Sequence, residues 1–393
     1  MAERYLPILV AGGGIGGLAA ALALAQKGRR THVLEQAAQF GEIGAGIQLG
    51  PNVFRMFEKL GLTEAINRVA VFTDNLIMRD ALSGDEVIRI PTGGDFRARF
   101  RFPYAVIHRT DVHGAILEAC RNSDLITLST SVNVAGYEEK ADRVIVSVEG
   151  GADYEGVALI GADGLWSRIR GQLVGDGKPR VSGHIAYRAV IPTPKVPAHL
   201  QQNNVVLWAG PRTHLVHYPL RRGELYNLVV VFHSSRYEEG WDTYGDPEEL
   251  QERFKGQRPE VLEFLSMVEA WRMWVLCDRE PIKLWSSGRV VLLGDAAHPM
   301  LQYLAQGACM AIEDAMVLAD CIEKSKGDHA SAFAVYQQAR YLRTARVQLM
   351  ARFYGELYHA TDVKRDLRNA LLAGATPEGA WNGAAWLYEG VQV

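Results

Sequence analysis

The chain is poor in cysteine and carries little net charge of either sign. Its 393 residues include four widely spaced cysteines, Cys120, Cys277, Cys309 and Cys321, with no Cys-x-x-Cys, so we expect reduced thiols and no metal centre. The net charge of −3 gives no sign of binding to nucleic acid or membrane. No apolar run approaches the roughly 20 residues of a membrane span, and no secretory signal is apparent. We expect a cytoplasmic protein with roughly two to three domain-sized cores.

A glycine-rich turn near the N-terminus predicts a nucleotide site. The apolar run 8–11 predicts a strand, and an Ala/Leu-rich helix follows the turn, which is typical of the first βαβ unit of a dinucleotide-binding fold. Gly12 allows the tight turn, Gly14 lets a pyrophosphate approach the backbone, and Gly17 lets the helix pack close to the strand. The helix N-terminus offers N–H groups and partial positive charge to phosphates. The predicted phosphate site therefore comprises Gly12, Gly14, Ile15, Gly16 and Gly17.

An acidic residue follows where a ribose would lie. Residues 30–34 predict the returning strand, and Glu35 stands at its C-terminal end, where a carboxylate accepts hydrogen bonds from ribose hydroxyls. Because a carboxylate repels a 2′-phosphate, the ADP ribose should be unphosphorylated.

The next segment, 40–52, is so rich in glycine that it predicts a long loop against a flat ligand. Gln48 in this loop is a candidate contact for the cofactor. Asn52 is predicted to cap the following helix.

Two later positions are also candidates for the nucleotide site. Arg109 stands just before a predicted helix capped by Thr110 or Asp111, where its guanidinium could meet a phosphate. The alternating apolar pattern of 125–148 predicts a sheet that places Val132 beside the adenine.

Two further strands each end in a turn that leads into a helix. The first enters Asp163-Gly164, after which Ser167 can cap a helix that contains Arg170. The second, 289–293, ends at Gly294-Asp295-Ala296-Ala297-His298-Pro299, and a long helix is predicted to begin within 301–309. The N-terminus of that helix can support negative charge on a ligand.

A β-rich region between these turns predicts a mostly antiparallel sheet. Its period of two places His214 and Tyr218 on one face and His217 on the other. The predicted strands are Ala186–Ile191, Val205–Ala209, His214–Pro219 and Leu225–His233.

The C-terminal region, 330–372, is predicted to be helical. Its arginines suggest a charged face that is salt-bridged or interfacial rather than catalytic. These residues are Arg340, Arg343, Arg346 and Arg352.

In this order, the three turns resemble those of the class A flavoprotein monooxygenases, the single-component FAD-dependent aromatic hydroxylases. The resemblance covers nearly the whole chain and implies an α/β fold. A Rossmann-like FAD-binding domain would be interleaved with a mostly antiparallel β-sheet substrate domain and followed by a C-terminal helical region. The implied boundaries are 1–75, 104–180 and 280–325 for the FAD-binding domain, 76–103 and 181–279 for the substrate-binding domain, and 326–393 for the helical region.

The resemblance also implies roles for individual residues. Glu35 would bind the ribose of FAD, and Arg109 would lie near the pyrophosphate. Asp163 would be both a structural residue and a coenzyme contact, and Asp295 would hold the ribityl chain. The isoalloxazine edge would be covered by Gln306, Gly307 and Ala308, in a segment that reads Ala-Gln-Gly-Ala-Cys where the family has Gly-Gln-Gly-x-Asn.

The implied chemistry explains the choice of catalytic candidates. Reduced flavin and O2 supply a modest electrophile, so the aromatic substrate must be made electron-rich. Loss of the phenolic proton does this and activates the ring carbons ortho and para to the oxygen. A histidine that titrates near neutrality suits the task, so His214 would accept the proton. Tyr218 and Gln302 would orient the ring and its carboxylate.

The reduced coenzyme should have no domain of its own, because no other glycine segment has the strand, helix and acid context. The resemblance implies that NADH visits the flavin cleft transiently, with Arg188 as a candidate contact. It also suggests a homodimer, to which the arginine-rich C-terminal helix could contribute.

The resemblance implies a site for a small aromatic hydroxy acid and leaves three functions open. The first is hydroxylation of 3-hydroxybenzoate para to its hydroxyl, giving 2,5-dihydroxybenzoate. The second is oxygenation with release of CO2, of the salicylate 1-hydroxylase type. The third is a binding scaffold of the same fold without redox activity.

Overall fold

The computed structural model describes residues 6–41, 44–235 and 243–391, and its first unit is a six-stranded, largely parallel sheet. All neighbouring strands are parallel except the first pair. The buried strands are apolar because helices cover both faces of such a sheet. In spatial order the strands are β18 (Ser286–Ser287), β19 (Val290–Leu292), β12 (Ala158–Gly161), β1 (Ile8–Ala11), β2 (Thr31–Leu34) and β8 (Ile126–Ser129).

Helix α1 (Ile15–Gln26) packs between α5 (Arg109–Arg121) and α9 (Gly307–Lys324). Nine of its twelve residues are buried, which explains why it is apolar all round rather than amphipathic. The predicted βαβ unit is confirmed, with the boundaries of its strands within one residue of those expected.

A seven-stranded sheet forms the second unit and is antiparallel except for one pair, β14 with β5. One face carries Leu215 and packs with Phe264 in a separate apolar core, whereas Tyr218 lies in a cluster on the other face. The predicted antiparallel sheet and the predicted division of its faces are therefore confirmed. In spatial order the strands are β17 (Arg272–Asp278), β13 (Arg180–Pro192), β16 (Leu225–His233), β15 (Thr213–Leu220), β14 (Asn204–Gly210), β5 (Asn75–Asp80) and β6 (Glu86–Pro91).

Two small antiparallel sheets complete the β structure. One contains β3 (Gly46–Leu49), β7 (Ala105–His108) and β4 (Val71–Phe72), and the other contains β11 (Tyr154–Gly156), β10 (Val144–Val148) and β9 (Val134–Glu139).

The expectation of an irregular loop over 40–52 is wrong for its second half, because β3 pairs with β7. A Cβ on Gly46 would lie 2.5 Å from the Tyr218 ring and 2.8 Å from Asn227. Glycine is needed here for close packing against the large sheet rather than for a turn.

The predicted caps near residues 52 and 110 are also wrong. Helix α2 (Pro51–Lys59) begins before Asn52, whose side chain points into the protein, and α5 begins at Arg109 itself. Asp111 accepts hydrogen bonds from Arg221, which lies in the turn between β15 and β16 of the large sheet. In each case a tertiary partner outweighs the local capping preference.

The segment 125–148 does not form one sheet. β8 joins the parallel sheet and β9 joins a small one, with Ser131 between them at φ +57°. Val132 lies between β8 and β9, beside the C-terminal end of β2.

The C-terminal region contains three helices, because helical structure is interrupted after Tyr358 and again after Ala373. No described helix is long and apolar enough to cross a membrane. The remaining helices are α3 (Thr63–Val69), α4 (Gly94–Phe100), α6 (Arg168–Leu173), α7 (Pro247–Arg253), α8 (Pro259–Ser266), α10 (His329–Tyr358), α11 (Asp362–Ala373) and α12 (Pro377–Tyr388).

The expectation of a salt-bridged or interfacial arginine face on α10 is confirmed in its salt-bridged form. Arg340 is fully buried and donates to Glu313 and Asp314, and Arg352 pairs with Asp278. These arginines therefore link α10 to its own chain and give no support to an arginine-mediated dimer.

Candidate active site

The first glycine turn has the close contacts that its sequence requires. Gly12 has φ +107°, and a Cβ there would lie 2.3 Å from the carbonyl oxygen of Ala162. A Cβ on Gly17 would lie 2.0 Å from the carbonyl oxygen of Gly12. Gly16 faces Leu293 and Ala311, so its small size serves packing between α1 and α9.

The N-terminus of α1 is available to a phosphate. Its N-cap, Gly14, is extended, and no side chain in the described ranges caps it. Backbone N–H groups in this position and the helix dipole favour an anion.

Glu35 lies beside this turn with both carboxylate oxygens anchored. The N–H of Gly13 donates to Oε2 at 2.7 Å, and that of Ala37 donates to Oε1 at 2.8 Å. An ionised carboxylate has about four acceptor sites, so ribose hydroxyls can still bind. A cleft of about 400 Å³ runs past Glu35 and is lined by Gly12, Gly14, Val132, Asp163 and Trp166 among others.

Asp163 at the second turn mainly accepts hydrogen bonds from the backbone at the start of α6. It accepts hydrogen bonds from the Ser167 hydroxyl at 2.5 Å and from the N–H groups of Arg168 and Ile169. Burial raises the pKa of its carboxyl, and these hydrogen bonds oppose the rise. The predicted cap, Ser167, is confirmed by its bond from the N–H of Arg170.

Arg170 connects the second turn to the third. Its buried guanidinium donates to the carbonyl oxygens of Ala296 at 3.1 Å and Ala297 at 2.7 Å, and it pairs with Asp176. The spacing between Asp163 and Arg170 therefore fixes the relative position of two turns that are remote in sequence.

The third turn is held from α9. Asp314 accepts hydrogen bonds from the N–H of Gly294 at 3.2 Å and from Nε2 of His298 at 2.5 Å. Asp295 remains exposed, 3.9 Å from the Cβ position of Gly307 at the start of α9. Asp295 can therefore face a ligand together with the start of α9.

Gln306 precedes α9 and is buried. Its side chain accepts a hydrogen bond from Nδ2 of Asn52 at 3.1 Å, so its amide is engaged with α2. Gly307 and Ala308 form the first turn of α9, where no described side chain provides a cap.

Gln302 and Arg188 join the third turn to the large sheet. The Arg188 guanidinium donates to Oε1 of Gln302 and lies over the Trp274 ring. Its Nε is buried and finds no acceptor among the described residues. Burial lowers the pKa of Arg188 to about 10, and the charge of Arg109 contributes. An anion at this junction would satisfy Nε of Arg188.

Tyr218 belongs to β15 and Gln48 to β3. The Tyr218 ring packs on Gly46, and burial raises the pKa of its phenol well above the usual value. Gln48 accepts a hydrogen bond from the hydroxyl of Tyr104 at 2.6 Å.

His214 is 2% exposed and projects from β15 on the same face as Tyr218. Its Nδ1 lies 2.7 Å from Nε2 of His359. Because a strand rises about 3.4 Å per residue, His214 and Tyr218 stand roughly 14 Å apart along β15, flanking Val216.

The expectation that His214 titrates near neutrality is wrong, because burial and the nearby His184 lower its pKa to about 3. It is therefore a neutral imidazole. Two unit charges 4 Å apart attract by about 4 kcal/mol at an effective dielectric constant of about 20, which corresponds to about three pKa units. A phenolate formed beside His214 could offset the depression, so the imidazole can hold a substrate proton only as part of an ion pair.

Sequence patterns did not indicate four rings that surround this region. Tyr303, Tyr358 and His359 contact His214, and Tyr104 lies near Tyr218. Tyr303 directly follows the predicted site residue Gln302, and this position in the sequence could have indicated that Tyr303 lies at the site. His359 follows the last residue of α10, and no local pattern connects it with a strand 145 residues earlier.

These residues fit an FAD. The glycine cradle, which comprises Gly12, Gly14 and Gly17, has no side chains that would block a phosphate. In the described part of the chain, no side chain caps α1 or α9, and Nε of Arg188 has no acceptor. Gly12, Gly14 and Glu35 would hold the ADP half, and Asp295 with the start of α9 would hold the flavin half.

Comparison with known proteins agrees with this geometry. The model of the FAD binding domain family matches residues 5–351, and the chain belongs to that family. It is an FAD-dependent aromatic monooxygenase.

Two relatives that match nearly the whole chain carry the same name. The chain is 50% identical to the 3-hydroxybenzoate 6-hydroxylase of Polaromonas naphthalenivorans (strain CJ2), over 98% of this chain and 96% of that protein. It is 47% identical to the 3-hydroxybenzoate 6-hydroxylase of Klebsiella oxytoca, over 98% and 97%.

Solved structures show the same fold. HpxO of Klebsiella pneumoniae complexed with FAD and uric acid has a TM-score of 0.88 at 25% identity and covers 99% of this chain and 98% of its own. A salicylate hydroxylase substrate complex has a TM-score of 0.81 at 26% identity and covers 99% and 98%.

Proposed function

We propose that the protein hydroxylates 3-hydroxybenzoate para to its hydroxyl group, giving 2,5-dihydroxybenzoate, with NADH and O2 as co-substrates. The observation that carries this proposal is identity of 45–50% to three proteins named 3-hydroxybenzoate 6-hydroxylase, over 97–98% of this chain. Bound FAD would supply the redox chemistry and the activated oxygen.

The residues of this chain would prepare the substrate. Nδ1 of His214 is engaged with His359, so Nε2 is the nitrogen that a phenol would reach. Acceptance of the phenolic proton there raises electron density at the ring carbons ortho and para to the oxygen. Attack para to the hydroxyl leaves the carboxylate in place.

Three further residues would position the ring. Tyr218 and Gln302 both lie near Arg188, which donates to Gln302 and whose pKa is affected by Tyr218. The amide and the phenol would orient the substrate, and the guanidinium offers positive charge to its carboxylate or to NADH during a transient visit. The buried, ring-lined surroundings exclude water from the reacting oxygen.

A panel of hydroxybenzoates tests this proposal. With 3-hydroxybenzoate, we expect consumption of one NADH for each 2,5-dihydroxybenzoate formed, with no CO2. With salicylate, we expect little coupled product. Release of CO2 with catechol would instead establish the salicylate 1-hydroxylase type of reaction and refute the proposed substrate.

A further inference from the structure

Four histidines from distant parts of the chain meet beside the proposed active site. His184 on β13 and His233 on β16 are paired in register, and His359 follows the last residue of α10. In these three, one ring nitrogen of each lies within 4.8 Å of those of the other two. His214 contacts this triad through His359. We call His184, His233 and His359 the histidine triad.

The outward nitrogens of two of the three histidines in the triad already have partners. Nδ1 of His184 lies 2.5 Å from the Tyr303 hydroxyl, and Nε2 of His359 lies 2.7 Å from Nδ1 of His214. Histidines that bind metals commonly use one ring nitrogen for the metal and the other for such an outer partner, which fixes the ring orientation. The second nitrogen of His359, Nδ1, lies 3.1 Å from Nε2 of His233.

The triad is also in the right protonation state. Burial lowers the pKa of His184 to about 4, lowers that of His233, and lowers that of His359 well below its usual value. Neutral imidazoles present the lone pairs that a metal ion requires. His233 is only half-buried, so an ion can enter from its side. Glu356, one helical turn before His359, adds negative charge near His233, and Arg212 and Arg253 add positive charge there.

We propose that the histidine triad binds one divalent cation of the class that prefers imidazole nitrogen, such as Zn²⁺, Co²⁺, Ni²⁺ or Cu²⁺. A Zn–N distance of about 2.0–2.1 Å in a tetrahedral site places two ligand nitrogens roughly 3.4 Å apart. The pair from His233 and His359 is at 3.1 Å, and the widest pair is within 4.8 Å. Small side-chain rotations therefore suffice, and water would complete the coordination.

Occupancy of this site would affect His214, a consequence that rests on the proposed function. A metal on Nδ1 of His359 leaves the hydrogen of that ring on Nε2, which must then donate to Nδ1 of His214. The hydrogen of His214 is thereby placed on Nε2, the nitrogen that should accept the phenolic proton. The bound cation would therefore be an inhibitor of hydroxylation.

Binding can be measured on the flavin-loaded enzyme without turnover. Isothermal titration with Zn²⁺ should show one site, and Cu²⁺ electron paramagnetic resonance should show hyperfine coupling to several nitrogens. His233→Ala should weaken Zn²⁺ binding by at least about tenfold, since even outer partners are worth roughly 10–100-fold. His199→Ala is the matched control, because His199 is 61% exposed and pairs with Glu263 away from the triad. It should leave binding unchanged.

Two results would overturn the site: no Zn²⁺ binding by the wild type, or equal binding by wild type and His233→Ala. A separate measurement tests the consequence. Zn²⁺ should lower the ratio of hydroxylated product to NADH consumed, a chelator should restore the ratio, and His233→Ala should not respond. Equal inhibition of that variant by Zn²⁺ would refute the coupling to His214. If the metal-free wild type hydroxylates none of the hydroxybenzoates, the proposed function is refuted, and the result of the binding measurement still holds.

Discussion

Gly17 illustrates how the absence of a side chain at one position can determine cofactor binding. A Cβ at this position would meet the backbone oxygen of Gly12 at 2.0 Å, and neither group can move without shifting α1 from β1. Overpacking of this kind costs about 1–3 kcal/mol. We expect Gly17→Ala to weaken FAD retention by about tenfold or more, as measured by flavin absorbance after gel filtration.

Gly114 provides the matched control for this substitution. It lies within α5, and nothing stands within 4 Å of its Cβ position. Gly114→Ala should retain flavin fully and gain slight stability, because alanine favours a helix. Equal flavin content in both variants would contradict the predicted role of the cradle.

His214 and Arg188 show that burial changes side-chain chemistry in ways that the sequence does not reveal. Period two correctly places His214 on the face of Tyr218, but the shift of its pKa to about 3 depends on side chains from remote elements. The pKa of Arg188 is likewise lowered by burial at the junction. Residue type and periodicity identify candidates, whereas protonation state requires the fold.

At the level of elements, Arg170 connects α6 to the third turn. Removing one partner from a buried ion pair costs about 3–5 kcal/mol, and Arg170 is fully buried. We expect Arg170→Met to lower the free energy of unfolding by roughly 3 kcal/mol and to reduce FAD content. Urea unfolding of the purified protein measures the first effect.

Arg168 is a control two residues away. Its ion pair with Glu149 is largely exposed, and such pairs contribute about 0–1 kcal/mol. Arg168→Met should therefore unfold close to the wild-type urea concentration. Equal destabilisation by the two substitutions would show that the link to Ala296 and Ala297 is unimportant.

Asp80 makes the attachment of α11 to β5 dependent on pH. Burial alone would raise its pKa, but hydrogen bonds from Arg365 and Asn369 outweigh burial and hold the pKa well below its usual value. Because the folded-state pKa is depressed, this stabilisation is complete above the unfolded value of about 3.9 and is lost as pH falls through the lower, folded value.

Asp80→Asn tests this dependence. The difference in free energy of unfolding between wild type and variant should be constant around neutral pH and should shrink below about pH 4. Urea unfolding across this range measures it. A difference that grows on acidification would mean that the pKa of Asp80 is raised, not lowered, in the folded protein.

The sequence predicts elements well where local pattern and tertiary role coincide. The apolar run, the glycines and Glu35 identify the βαβ unit, and period two identifies the antiparallel sheet. The pattern fails where a distant partner dominates, as with Gly46 against Tyr218 or Asn52 against Glu313. The contribution of His359 could not be predicted, because only the folded chain brings it to His214.

At the scale of the whole molecule, the parallel sheet with its helices and the antiparallel sheet meet at one junction. Polar contacts cross it from both sides, including Arg188 with Gln302 and Asn227 with the N–H of Gly46 at 2.8 Å. The cofactor turns belong to one unit and His214 to the other. The proposed reaction therefore depends on the position of the two sheets relative to each other.

The surface of α10 and α11 leads us to propose a homodimer with an apolar rather than an arginine-rich interface. Val335, Leu342, Leu349 and Phe353 are exposed and fall on one stripe of α10, because spacings of 7, 14 and 18 residues return to about the same side of a helix. α11 adds its own exposed apolar residues in the same region of sequence: Val363, Leu367 and Leu371.

Light scattering on the Leu342→Glu/Leu349→Glu double variant tests this dimer. We expect the wild type to have twice the mass of one chain and the variant to be monomeric at micromolar concentration. Leu284→Glu is the control, because Leu284 is about as exposed as Leu349 and lies outside the stripe. A double variant that keeps the doubled mass would exclude this face.

The central claim is that the imidazole of His214 prepares the substrate for oxygen transfer, and the yield of hydroxylated product per NADH in His214→Ala tests it most directly. His217→Gln is the control, because His217 lies on the opposite face of β15, packed against Phe264. We expect His214→Ala to keep its flavin and its substrate-stimulated NADH oxidation but to convert most O2 into H2O2, while the control stays coupled. Full hydroxylation by His214→Ala would contradict the claim.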